Sequence, residues 1–217
     1  MNLFKKEQED VKVIHPPALG WLEKKLSEKE MEYLWRCIDN RKKESYKENL
    51  AGNITESNLL PDKSDWFFNN TLIPLIVKYK DEFKSLGDDV PINQRHPHYL
   101  HRMWVNYQKQ NEFNPNHTHG GIYSFVIWMK IPTKYSEQNK NPISLRANSH
   151  VISTFEFHFL NILGEMCPYT YEMNPEMEGT ILFFPAKLVH CVYPFYNCDE
   201  DRISISGNIV MNTAKTL

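Results

Sequence analysis

His117 and His119 stand two residues apart in the run Phe113-Asn114-Pro115-Asn116-His117-Thr118-His119-Gly120-Gly121, and a third histidine, His190, closes the later run from Gly179. Alternate side chains of an extended chain share a face, so one strand can aim both rings of the pair at a point where a partner strand supplies the third. An all-nitrogen shell of this kind suits a first-row transition metal. Beyond His190, Arg202-Ile203-Ser204 puts a guanidinium and a hydroxyl on one face of a strand, where together they would clamp a carboxylate. Metal ligands followed by a carboxylate anchor point to an oxygenase.

These groups need rigid strands to hold them, and the second half of the chain reads as strands. From about Tyr99 the sequence turns into short apolar or alternating runs broken by Pro, Gly and Asn. Strands are predicted over Arg102 to Gln108, Ile122 to Ile131, Ile143 to Arg146, Thr154 to Leu160, Tyr169 to Met173, Thr180 to Phe184, Val189 to Pro194 and Arg202 to Met211. In the last of these Ile203, Ile205 and Ile209 keep one rhythm and Arg202, Ser204, Ser206 and Asn208 the other, a polar face that fits either the inside of a ligand-bearing barrel or its solvated outside.

The first third reads as helical. Ser27-Glu28-Lys29-Glu30 has the form of a capping box, followed by Met31, Leu34, Trp35 and Ile38 at helical spacing. A second helix is predicted from Asp65 to Leu86, with Leu72, Ile73, Leu75, Ile76, Tyr79 and Phe83 inward and Pro74 in its first turns. The polar residues 39–64 between them read as a mobile connection. The expected architecture is mainly β with N-terminal helices: a double-stranded β-helix, a jelly-roll or cupin-like barrel, with the helices covering one sheet. A single domain is expected over residues 1–217, with a helical layer and connection to residue 98 and the catalytic core over 99–217.

The order Trp104-Val105-Asn106-Tyr107, Asn114 to Gly121, Tyr123-Ser124-Phe125-Val126-Ile127-Trp128, Phe183-Phe184-Pro185 to His190, and Arg202 to Asn208 resembles small 2-oxoglutarate and Fe(II)-dependent oxygenases of marine bacteriophages and bacteria. The similarity covers roughly residues 99–212. It implies that His117, His119 and His190 bind iron, His119 standing where most such oxygenases have a carboxylate, and that Arg202 and Ser204 hold the far carboxylate of 2-oxoglutarate. Tyr107 resembles a tyrosine that touches this cosubstrate in related hydroxylases, and Ser124 is a further candidate for such a contact. The implied activity is a dioxygenase, a hydroxylase, that couples oxidative decarboxylation of 2-oxoglutarate by molecular oxygen to oxidation of a substrate the resemblance does not name, with ascorbate as a candidate reductant. A third ligand from Asp199, Glu200 or Asp201 is the alternative to His119, but a solvated turn explains those acids better.

Two other classes share parts of the pattern. A cupin-like three-histidine metalloenzyme without 2-oxoglutarate predicts that Arg202 points away from the metal, and a non-catalytic jelly-roll binding module predicts no groove beside His190. Glu156 and His158 would share a strand face that lines a substrate pocket, and residues 136–178 would form the substrate-facing region. His96 and His98 repeat the two-residue spacing without a third partner, as expected of a surface approach to the first barrel strand.

A formal net charge of -2 gives no basic field to draw nucleic acid. No apolar run approaches the roughly 20 residues that cross a bilayer, and the N-terminus lacks the apolar stretch of a signal peptide, so a cytoplasmic protein of a bacterium or phage-infected host is expected. Cys37, Cys167, Cys191 and Cys198 form no close metal-binding pair and are expected as reduced, buried filler.

Overall fold

The computed structural model describes Lys12 and residues 18–41, 44–83 and 96–216. A short strand, β1 (Leu22–Lys25), leads into helix α1 (Glu28–Asp39), whose capping box forms as its sequence requires. The Glu30 carboxylate accepts from the Ser27 N–H at 2.8 Å and from its hydroxyl at 2.7 Å, and also from Lys24 Nζ and the Thr71 hydroxyl, both at 2.7 Å. One acid thereby ties β1 and the helix start to the second helical segment. Burial would raise the pKa of this carboxyl, but the bonds from Lys24, Ser27 and Thr71 outweigh it and pull it from 4.5 to about 2.

Because the folded value lies below the unfolded one, the stabilisation is complete above about pH 5 and fades as pH falls toward 2. Glu30→Gln should therefore lower stability by about 2 kcal/mol at pH 7 and by clearly less near pH 3, read by urea unfolding. A gap of equal size at both pH values would count against this role for Glu30.

Residues 44–64 make an ordered edge where a mobile connection was expected. Strand β2 (Glu56–Leu59) pairs antiparallel with β3 (His98–Gln108), and the Ser57 hydroxyl donates to Asn106 Oδ1 at 2.7 Å. A strand held by buried polar residues such as Ser57 and Asn58 lacks the apolar rhythm that marks strands in a sequence. The second helix, α2 (Ile73–Glu82), follows a wide turn at Phe68–Leu72 and has Pro74 in its first turn. It buries Leu75, Ile76 and Tyr79, whereas Ile73 is exposed, because the wide turn shifts the phase of the helix. Residues 84–86 of the expected helix lie outside the described residues.

The remaining strands are β4 (Asn114–His117), β5 (Tyr123–Lys130), β6 (Thr154–Leu160), β7 (Met166–Glu172), β8 (Thr180–Pro185), β9 (Val189–Val192) and β10 (Arg202–Met211). Two antiparallel sheets result, ordered β1-β8-β5-β10-β3-β2 and β4-β9-β6-β7. The expected strand at Ile143–Arg146 is instead a series of turns, begun where Ser144 and Leu145 donate back to the Asn141 carbonyl. Asn141-Pro142 supplies the residues that favour such a start.

Period-two alternation decides what each face carries. Phe125, Ile127, Phe183, Ile205 and Ile209 face outward, where Leu34, Ile38, Leu72 and Tyr79 of the helical layer cover them. Val126, Trp128, Leu182 and Phe184 face inward to meet Phe155 and Phe157 of the smaller sheet. Burying both faces of β5 explains its nearly unbroken apolar run. The result is a double-stranded β-helix with a helical layer on its larger sheet.

Candidate metal and cosubstrate site

β4 pairs with β9, and their register sets His117 opposite His190. His119 follows just beyond the strand, its backbone N–H held by the Ala186 carbonyl at 2.7 Å. The three rings converge: His119 Nε2 lies 3.1 Å from His190 Nε2, and the His117 and His190 ring centroids are 4.2 Å apart. One ring nitrogen from each residue lies within 4.8 Å of the others. Two nitrogens bound at about 2.1 Å and at right angles around one ion sit about 3 Å apart, so the spacing fits adjacent corners of a coordination sphere.

The chain fixes two of these rings by the same local device. His117 Nδ1 bonds the carbonyl of Pro115 at 2.7 Å, and His190 Nδ1 bonds that of Leu188 at 2.9 Å. With Nδ1 engaged as a donor, Nε2 is left as a lone-pair nitrogen facing the centre, the arrangement metal-binding imidazoles adopt. Burial lowers all three pKa values, that of His119 to about 3 with His117 and Lys187 adding to the effect. The rings are neutral at pH 7, the protonation state that a metal requires. Gly121, at φ 104°, then turns the chain into β5, where a Cβ would meet the Ile209 carbonyl oxygen at 2.6 Å.

A cleft opens beside the histidines, lined also by Trp104, Asn106, Gln108, Trp128, Ser204 and Ser206. The polar face of β10 is therefore the inner one. Arg202 lies behind the cleft wall and is 1% exposed. It donates to Ser153 Oγ at 2.7 Å and, at longer range, to the Tyr193 carbonyl at 3.3 Å and Gln108 Oε1 at 3.4 Å, while its Nε has no partner. The guanidinium stacks on Phe195 at 4.8 Å, and no carboxylate faces it among the described residues. Burial alone lowers its pKa to about 9. From His190 the chain reaches Tyr193, one residue past the end of β9, in three residues, about 10 Å.

Other sequence expectations come out differently. Tyr107 points to the outer face under the Arg41 guanidinium at 4.9 Å, because its neighbours Asn106 and Gln108 take the inward phase of β3. Its expected contact with a cosubstrate is not met. Ser124 does face inward, but its hydroxyl donates to the Gly207 carbonyl at 2.9 Å and its side chain does not line the cleft. Glu156 and His158 face outward, since Phe155 and Phe157 occupy the inner phase of β6. Of residues 136–178 only Phe155 lines the cleft, whose other rim comes from Lys47, Asn49, Leu50 and Gly52. Glu200 pairs with Lys130 at 2.6 Å and Asp199 accepts from Gln110, so neither acid joins the histidines. His96 bonds the Lys215 carbonyl and His98 packs on Tyr123, also away from the cluster.

Residues missed from sequence include Trp128 and Asn114, which line the cleft and carry a buried Nε1 and Oδ1 without partners. Unpartnered buried polar atoms beside a cleft are expected where a polar ligand completes them. The inward Asn106 and Gln108 were detectable as polar residues alternating with Val105 and Tyr107.

The fold is the double-stranded β-helix shared by 2-oxoglutarate-dependent oxygenases. Residues 102–208, nearly the whole barrel, match a family described as "Putative 2OG-Fe(II) oxygenase". By this match the barrel region is similar to the 2-oxoglutarate and Fe(II)-dependent oxygenases, an oxidoreductase superfamily whose cofactors are iron and 2-oxoglutarate. Its fold is similar to that of a prolyl-4-hydroxylase from Pseudomonas putida, with a TM-score of 0.51 and 11% identity over 89% of this chain and 94% of the other. It is also similar to a Trichoplax adhaerens prolyl hydroxylase solved with a hypoxia inducible factor peptide, with a TM-score of 0.51 and 10% identity over 88% and 82% of the two chains. At this identity the likeness speaks for the fold. No curated protein matches the chain in sequence. Among the described residues no helix is long and apolar enough to cross a membrane.

Proposed function

We propose that this chain is a dioxygenase of hydroxylase type, in which His117, His119 and His190 hold Fe(II) and Arg202 with Ser204 holds the far carboxylate of 2-oxoglutarate. The observation that carries this reading is the buried Arg202 guanidinium, which has no carboxylate partner among the described residues and lies behind the wall of the cleft that three convergent imidazoles line. A buried cation with two long bonds and a free donor is stabilised by an anion, and a guanidinium binds carboxylates in a fork. An inward arginine has no purpose in a cupin-like enzyme that binds no dicarboxylate, and a cleft beside His190 argues against a purely structural jelly roll.

The bound iron and cosubstrate supply oxidative decarboxylation of 2-oxoglutarate to succinate and carbon dioxide, coupled to oxidation of a substrate C–H bond. The chain's own part is positional. Pro115 and Leu188 carbonyls orient the ligand rings, Trp128 N–H and Ser204 add donors along the cleft, and Phe155, Phe184 and Trp104 exclude water around the rings.

Anaerobic titration with Fe(II) and 2-oxoglutarate together should produce the weak visible charge-transfer band of the chelate, and neither component should produce it by itself. Iron binding without any band on adding 2-oxoglutarate would remove the cosubstrate from the proposal.

A further inference from the structure

The smaller sheet carries a second cluster on the face opposite the histidine site. His190 and Phe157 are register partners that point inward, so the next pair along the same strands, Cys191 and Glu156, points outward. His158 lies on that outer face as well. Its Nε2 is 3.1 Å from Glu156 Oε2 and 3.9 Å from Cys191 Sγ, and one donor atom from each of the three residues falls within 4.8 Å of the others. Donor atoms about 2.0–2.3 Å from a tetrahedral zinc stand about 3.3–3.7 Å apart, so shifts of a few tenths of an ångström bring these two separations onto a metal.

The surroundings favour a cation. Glu156 is 4% exposed and Cys191 5%, Cys191 is a free thiol, and the one ion-pair partner of Glu156 among the described residues is His158. Buried carboxylates are paired with cations or bound to metals. The Thr170 hydroxyl donates to Glu156 Oε1 at 2.9 Å, which leaves Oε2 turned toward His158, as an outer-shell partner orients a ligating carboxylate.

We infer that Glu156, His158 and Cys191 form a second metal site, for a zinc-like divalent cation, on the outer face of the smaller sheet. Sulfur, nitrogen and oxygen donors together suit zinc, whereas magnesium and calcium prefer all-oxygen shells. A carboxylate and a thiolate neutralise its charge, and the partly open flank at His158 leaves a fourth position for water. The ion would staple β6 to β9, the strand that also carries His190 on its other face.

Cobalt(II) distinguishes this site from the all-nitrogen one, because only a thiolate ligand gives an intense near-ultraviolet charge-transfer band. Titrating the reduced, metal-free full chain should raise such a band, displaced by zinc, that saturates once one ion has entered this site in addition to the one the three histidines take. The band should persist in His117→Ala, which disables the inner cluster, and vanish in Cys191→Ser. If Cys191→Ser loses its near-ultraviolet circular dichroism, Glu156→Gln and His158→Ala serve instead. Each should weaken the band's cobalt affinity by more than the roughly 10- to 100-fold that loss of an outer-shell partner brings. Absence of the band from the unsubstituted chain, its survival in a folded Cys191→Ser, or unchanged affinity in the other two variants would overturn the assignment.

Discussion

Arg202→Ala is expected to weaken 2-oxoglutarate binding about 100-fold or more while leaving Fe(II) affinity within a few-fold, since truncating one member of a buried charge pair costs about 2–5 kcal/mol. The asymmetry follows from position. Arg202 starts β10 behind the cleft wall, bonded to Ser153, Gln108 and Tyr193, and hydrogen-bonds none of the three histidines. It also fills space beside Phe195, so the alanine variant leaves a void as well as an unpaired anion site. Arg202→Met restores most of the volume without the charge and separates the two effects. If the arginine acts only as packing, the methionine variant recovers both stability and cosubstrate affinity. If it anchors the carboxylate, methionine recovers stability alone. Arg202→Lys should recover affinity only in part, because an ammonium cannot reproduce the planar fork. Titration of the chelate band, with iron binding and thermal unfolding measured in parallel, distinguishes these outcomes. Equal losses of iron and cosubstrate affinity would defeat the anchoring role.

The parts of this molecule that were legible in its sequence are those governed by strand periodicity. Arg202, Ser204 and Ser206 had to share one face of β10 because Ile205 and Ile209 required the other for a core. Which face was the interior was not legible, since that depends on the helical layer claiming the isoleucines. The same periodicity works against Tyr107: a resemblance suggested its role, but the phase of β3 gives the inward positions to Asn106 and Gln108. Glu156 and His158 failed for the same reason, because the aromatic residues of β6 took the interior. Residues 44–57 were illegible for another cause. Their strand is held by polar contacts such as Ser57 to Asn106, and their closure of the cleft depends on tertiary position alone. The histidine cluster was legible because two residues of spacing, one paired strand and one later histidine suffice to define a point in space.

His190→Ala should abolish measurable Fe(II) binding, and His119 offers the sharper test of how the cluster works. With His190 donating Nδ1–H to the Leu188 carbonyl, its neutral ring has no proton on Nε2. The 3.1 Å contact between the two Nε2 atoms then requires His119 to carry its proton on Nε2 in the metal-free protein. Metal binding demands a lone pair at that same nitrogen, so His119 must move its proton to Nδ1 when an ion enters. Nitrogen NMR of the metal-free and zinc-loaded Cys191→Ser protein should show this tautomer change at His119, with His190 keeping Nδ1–H throughout. His119→Asp keeps a donor at the position and adds a negative charge. Iron should bind at least as tightly as in the unsubstituted protein, while the dianionic cosubstrate, now facing a less positive centre, should bind about tenfold more weakly, a Coulomb difference of roughly 1.4 kcal/mol. His119→Ala should lose more iron affinity than the roughly 10- to 100-fold typical of an outer-shell partner. A His119→Ala protein that binds iron as well as the unsubstituted chain, with an unchanged tautomer in the zinc-loaded form, would remove His119 from the ligand set and leave the 3.1 Å contact as a hydrogen bond between two buried rings.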